Sequence, residues 1–250
     1  MRPTKGCPMG RQIFYALVLA AAIAGTAATA QAASYDIASD FSTASNPNDP
    51  WSYGFAPVLA PPTVPALVLY DQNGTTSCGG DRPFWRSSVV QSLGAPAVFD
   101  NPTGSPIDCG IYVHPAHTAG FHPGQNGEFS IYRFTAPSAG SYALDATFIV
   151  LDYGGTDVHI LDNGTQLYTA NSPTDQPTGT VFGSYSQNLS LAAGEVIDFA
   201  VGVGPDGSFI SDGTGINATL TTGAAVPEPS TLLLLAASLP GLGFIRRRTR

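Results

Sequence analysis

Three histidines, His114, His117 and His122, fall within the run HPAHTAGFH. A His-x-x-His pair can hold zinc where the backbone lets both rings converge. Asp108 is near in sequence, but no cysteine or helical pattern supports the pair, and His122-Pro123-Gly124 reads more readily as a turn leading into a strand at Phe129. Carboxylates offer a second chemistry. Hydrolysing a glycosidic bond takes two facing carboxyl groups. Between residues 33 and 225 the glutamates are Glu128 and Glu195, each flanking the start of an expected strand, and many aspartates sit in turn sequences such as Asp162-Asn163-Gly164, Asp206-Gly207 and Asp212-Gly213. Turn chemistry alone accounts for these. A G-x-S-x-G nucleophile motif is absent, so the chain is not expected to be an enzyme.

Calcium takes carboxylate and carbonyl oxygens from loops. Asp40 opens the first strand region, and Asp206 and Asp212 precede the last strand. In a sandwich whose first and last strands are neighbours, the three would meet, which makes them candidate calcium ligands; ordinary surface acids are the plain alternative. No other cofactor is expected. Aromatic rings stack on the C–H faces of sugars, and Trp51, Tyr53, Trp85 and Tyr112 are the candidates. Trp51 and Tyr53, two positions apart, share one face of a strand, and Trp51 suits a core. Trp85, in the loop-like DRPFWRSS, is the ring expected to be exposed.

The elements that must position these groups are framed by two unusual ends. Residues 1–32 carry Arg2, Lys5 and Arg11, then an alanine-rich apolar run, then Ala30-Gln31-Ala32, the pattern of a cleavable export signal. At the other end, an apolar run over residues 231–245 is short for a membrane-spanning helix, and Arg246, Arg247, Arg248 and Arg250 follow it. Those arginines favour the cytoplasmic side and leave the body outside. What remains, residues 33–225, holds only three basic residues, Arg82, Arg86 and Arg133, against seventeen acidic ones. Nucleic acid is excluded as a partner, because phosphates would go unneutralised. An acidic body also repels anionic polymers, so a neutral glycan is the expected contact.

Val226-Pro227-Glu228-Pro229-Ser230, the leucine-rich run and the arginine cluster together resemble the PEP-CTERM sorting signal over residues 226–250. The resemblance implies an exosortase-type membrane transpeptidase as partner in a Gram-negative bacterium, with Pro227, Glu228 and Pro229 read as a sorting motif. It implies transient anchoring in the inner membrane, then release to the cell surface or extracellular matrix. The alternative is a plain anchor, with the prolines merely breaking the chain before it.

Period-2 alternation dominates the body. Tyr142, Leu144, Ala146 and Phe148 share one face in SYALDATFIV, as do Ile197, Phe199 and Val201 in EVIDFAVGVG and Ile216, Ala218 and Leu220 in GINATLTT. TDVHILDNGTQLYTA reads as a hairpin turning at Asn163-Gly164. This pattern predicts an all-β, antiparallel β-sandwich of the jelly-roll kind. Its proline-rich first half, with YDIASDFS, WSYGFA and ALVLY as strands, is expected to be loop-rich and most individual around residues 71–110. DFSTASNPNDPWSYGF and FHPGQNGEFSIYRFTAPSAGSYAL resemble a recurrent extracellular bacterial domain similar to galactose-binding-like carbohydrate-binding modules. That resemblance implies a structural or adhesive role with polysaccharide contact, or a defined sugar ligand; a polysaccharide-degrading enzyme ranks behind both.

Cys78 and Cys109 are the only cysteines of the body. An exported chain with one such pair is expected to link them, closing a loop of about thirty residues worth roughly 3–4 kcal/mol; two free thiols are the alternative. Non-reducing peptide mapping of the exported protein should recover one Cys78–Cys109 linked fragment. Quantitative labelling of both thiols without reductant contradicts the bridge.

Overall fold

The computed structural model describes residues 32–77, 80–110 and 112–223. The sorting motif Pro227, Glu228 and Pro229 lies outside the described residues, as do residues 1–31 of the expected signal and Cys78.

The described chain forms β1 (Ser34–Asp36), β2 (Trp51–Ala56), β3 (Val68–Leu69), β4 (Gln72–Ser77), β5 (Asp81–Arg86), β6 (Ala97–Asn101), β7 (Ile107–Asp108), β8 (Val113–His114), β9 (Thr118–His122), β10 (Phe129–Thr135), β11 (Gly140–Val150), β12 (Asp157–Asp162), β13 (Thr165–Asn171), β14 (Val181–Leu191), β15 (Val196–Gly202) and β16 (Thr214–Thr222). One sheet runs β14-β11-β16-β9-β6-β5-β4, with β1 also paired to β16; the other runs β13-β12-β15-β10-β2-β3. The strand pairs in both sheets are antiparallel. The fold is the expected antiparallel β-sandwich.

The inward faces match the alternation. Tyr142, Leu144, Ala146 and Phe148 are buried from one sheet, and Ile197, Phe199 and Val201 from the other. Aromatic rings fill the space between them. Trp51 meets Phe134 edge-on at 5.4 Å between centroids, and Tyr132 meets Phe121 at 4.9 Å. Truncating such a ring to alanine costs about 3–5 kcal/mol. At the hairpin tip Asn163 and Gly164 adopt φ of 46° and 83°, the left-handed pair that a two-residue turn between twisted strands requires.

The second sheet is also covered on its outer face. Ala56, Ile131, Leu161 and Ala200 form a small cluster there, with Leu59 and Leu67 packed over it. Arg133 and Asp198 lie beside this cover. Arg133 Nε and Nη2 donate to the two carboxylate oxygens at 2.6 and 2.9 Å, and Nη2 also donates to the Pro65 carbonyl at 2.9 Å. Burial raises the Asp198 pKa, and Arg133 pulls it back.

Residues 71–122 depart from expectation. They are not mainly loop: β4, β5, β6 and β9 complete the first sheet. Gln72–Ser77 has no apolar residue, so nothing in its pattern announces a strand. Conversely YDIASDFS yields only the short β1, because residues 37–40 turn back on it and the Asp36 amide donates to the Asp40 carboxylate.

Asp100, on β6, is 1% exposed, and its Oδ1 has no hydrogen-bond partner among the described residues. Burial, then the nearby Asp36 charge, pushes its pKa up to about 8. A carboxyl raised in the folded state contributes stability that is full below its unfolded pKa, near 4, and lost as pH rises through 8. Asp212, also pushed up to about 8, adds a similar slope. The protein should therefore lose stability between pH 7 and 9, and Asp100→Asn should remove about 1 kcal/mol of that loss. Urea unfolding at both pH values checks this; an unchanged slope in the variant contradicts it.

Candidate functional site

Burial of Trp85 decides what β5 shows to solvent. Its indole is 5% exposed, donates from Nε1 to the Ser42 carbonyl at 2.8 Å, and lies nearly parallel to Tyr53 at 6.5 Å. Side chains alternate along a strand, so Arg82, Phe84 and Arg86 point the other way, onto the outer face of the first sheet. The pairing Phe84↔Phe99 then sets two rings side by side across β5 and β6. Glycines flank both: Gly74 pairs with Phe84, and Gly120 with Phe99. A Cβ at Gly74 would stand 2.9 Å from Phe84 Cζ, and one at Gly120 would overlap the Phe99 ring. The glycines let the rings lie down across the sheet.

A groove of about 400 Å³ opens over this floor. Tyr112 and the 209–211 segment between β15 and β16 contribute to its lining. The Arg82 guanidinium carbon sits 4.2 Å from the Phe99 centroid and 5.3 Å from that of Tyr112. Arg86 lies 4.8 Å over Phe84, and its Nε donates to Gln72 Oε1 at 3.0 Å. His122 meets Phe209 edge-on at 6.2 Å. Burial lowers the His122 pKa, keeping the ring neutral, and its Nδ1 bonds the Pro123 carbonyl at 2.9 Å. Asp152 is the one carboxylate of the lining; burial raises its pKa, and its Oδ1 accepts the Tyr153 amide. Leu93 stands at the rim, 88% exposed with a φ of 52°. A left-handed, solvated leucine is an uncommon choice for a turn.

Several expected site residues lie elsewhere. Trp51 and Tyr53 are core residues with no face open to solvent. The expected exposure of Trp85 is corrected: it belongs to a strand, and its inward parity buries it. Tyr112 does line the groove. The trio Asp40, Asp206 and Asp212 does not assemble. Asp36 of β1 pairs with Thr219, whereas Asp212 precedes the far end of β16. Seven residues of strand separate those levels by roughly 23 Å. Asp40 instead accepts the Trp51 indole N–H at 3.2 Å, and Asp212 feels the charges of Asp206, Asp152 and Asp157. Among the described residues no group of three or more His, Cys, Asp or Glu is placed to hold a metal ion.

The histidines are also dispersed. His114 is fully buried, its Nε2 bonding the Thr118 carbonyl at 2.7 Å, and burial pushes its pKa down to about 3; His117 is an exposed left-handed turn residue. Glu128 accepts from the Asn126 amide and side chain, and Glu195 from the Ala192 amide, so both serve turns. Cys109 donates its amide to the Tyr112 carbonyl next to the β7–β8 hairpin.

No family profile and no curated protein sequence matches the chain. Several solved structures are similar to parts of the chain. A family 35 carbohydrate-binding module from an environmental isolate is 20% identical, with a TM-score of 0.27 over 41% of this chain and 71% of that one. The family 35 module of Clostridium thermocellum is 17% identical, at 0.27, over 62% of this chain and all of that one. A Clostridium perfringens ZmpB structure containing CBM51-2 with GlcNAc is 10% identical, at 0.35, over 69% of this chain and 40% of that one.

Replacing Gly120 by Ala should drive its methyl into Phe99, lower stability by about 1–3 kcal/mol and disturb the floor. Thermal unfolding measures the cost; a neutral effect would mean that the ring does not lie across this glycine.

Proposed function

We propose that the protein is an exported β-sandwich module that takes an extracellular polysaccharide into the groove of its first sheet. One observation carries the reading: a groove on the outer face of the first sheet, floored by Phe84 and Phe99, lined by Tyr112 and Phe209, with the Arg82 and Arg86 guanidiniums lying over the floor rings. Tyr112 and Phe209 offer apolar ring surface to sugar C–H groups, and Arg82, Arg86 and Asp152 offer polar contacts for hydroxyls. This favours a defined saccharide ligand over a purely structural or adhesive role. The groove presents no pair of glutamates for hydrolysis, since Glu128 and Glu195 are held in turns, and binding is the activity proposed.

Delivery belongs to the same proposal. Export by the segment at residues 1–32 and sorting through Pro227, Glu228 and Pro229 by an exosortase-type transpeptidase would place the module at the cell surface or in the matrix of a Gram-negative bacterium, with a Cys78–Cys109 bridge formed on the way.

Affinity electrophoresis in gels cast with neutral and acidic polysaccharides tests the binding half. At least one polymer should retard the full-length protein, and Tyr112→Ala or Phe209→Ala should weaken that retardation by about tenfold. No retardation by any polymer, or undiminished retardation in both variants, contradicts the groove. For the sorting half, Glu228→Ala should leave protein with an intact C-terminus in the inner membrane; processing and location identical to wild type contradict it.

A further inference from the structure

The charge around the groove runs against the charge of the whole body. Residues 33–225 carry seventeen acidic and three basic residues. Arg133 is committed to Asp198 and the Pro65 carbonyl. The other two, Arg82 and Arg86, both line the groove, and neither forms an ion pair among the described residues. A body with so many carboxylates has every opportunity to pair two arginines. Among the described residues it leaves both without an ion pair, at one place.

Arg82 is also unfinished as a hydrogen-bonding group. Its Nε and Nη1 are buried and have no hydrogen-bond partner among the described residues. A buried donor left unmet destabilises the fold until a partner arrives. Phe99 and Tyr112 hold the guanidinium in place at 4.2 and 5.3 Å without using its in-plane donors. A planar group clamped by rings, with its edge free, fits an acceptor that is itself planar and charged. A carboxylate fits best, because it takes two parallel N–H bonds. Arg86, four residues along the same strand face, supplies a second positive charge over Phe84.

We infer that the groove selects an acidic saccharide, a uronic acid unit whose carboxylate pairs with Arg82 while its ring lies against the Tyr112 and Phe209 walls. The inference rests on the groove reading proposed above and names its ligand class. It reverses the expectation of a neutral glycan, since the local charge of the groove is opposite to that of the chain. Arg86 steers the acidic chain in, and Asp152 in the lining accepts a sugar hydroxyl.

The test compares oligouronides with the same oligomers after their carboxyl groups are reduced to primary alcohols. Galacturonan, glucuronan and alginate fragments serve as the acidic set, titrated calorimetrically into the full-length protein. At least one uronide should bind tenfold or more tightly than its reduced counterpart, and the difference should shrink as salt rises to about 0.5 M. Arg82→Gln should bring the two to similar affinity, and Arg86→Gln should weaken the uronide several-fold. The comparison of natural and reduced oligomers uses the unmodified protein, so it stands even if a variant misfolds. Equal binding of both forms, or binding of a neutral polysaccharide with none of any uronide, overturns the inference and leaves the groove reading intact. No binding of any saccharide overturns both.

Discussion

The Trp85 indole sits between the two sheets, hydrogen-bonded to Ser42 and stacked near Tyr53. A strand has only two faces, so fixing one large side chain inward fixes its neighbours outward. Arg82, Phe84 and Arg86 point to the outer face because Trp85 points inward. A register slip of one residue would bring two arginines into an aromatic core and put an indole in water. Burying an unpaired guanidinium costs more than any local preference of the strand could supply. The hydrophobic effect at one inward position thus builds the surface chemistry on the opposite side.

The groove needs a second condition, which is space. Rings on a sheet surface usually stand up among the side chains of neighbouring strands. Here Gly74 and Gly120 sit at the cross-strand positions of Phe84 and Phe99, and the row continues to Gly215 opposite Gly120. Glycine weakens a strand, and the rings laid across it restore part of the lost contact. The result is an aromatic floor on which the two guanidiniums lie. The Arg82 guanidinium then rests between Phe99 and Tyr112, where ring faces attract a cation and leave its N–H edge unspent.

Much of the fold was legible in the sequence, and the reason is alternation. β11, β12, β15 and β16 put large apolar residues at every second position, and Asn163-Gly164 marks its own turn. β4, β5, β6 and β9 were hidden for distinct reasons. Gln72–Ser77 shows no apolar period, Ala97–Asn101 is buried on both faces, and Pro83 makes DRPFWR look like a loop. Pro83 is tolerated because it lies outside the stretch from Phe84 to Arg86 that pairs with β6. The groove was illegible as a motif, since its parts come from four strands, β4, β5, β6 and β9, and from connecting segments as far apart as Tyr112, Asp152 and residues 209–211. One signal was present: Arg-x-Phe-x-Arg at alternate positions of a strand shares a face. Reading the segment as a loop concealed it and gave Trp85 the exposed role that Phe84 and Tyr112 hold. The calcium trio failed for a related reason. Neighbouring first and last strands bring together residues at the same level, and Asp40 and Asp212 stand at different levels.

The outer face of β5 depends on the inward parity of Trp85, and tryptophan fluorescence reports that parity. The chain has two tryptophans, Trp51 and Trp85, so Trp51→Phe leaves Trp85 as the sole reporter. In the folded variant its emission should be blue-shifted and poorly quenched by acrylamide, with both properties lost on unfolding. Red-shifted emission, quenched in the folded variant as efficiently as in the unfolded chain, would contradict the account: Trp85 would then face solvent, and Arg82, Phe84 and Arg86 would not.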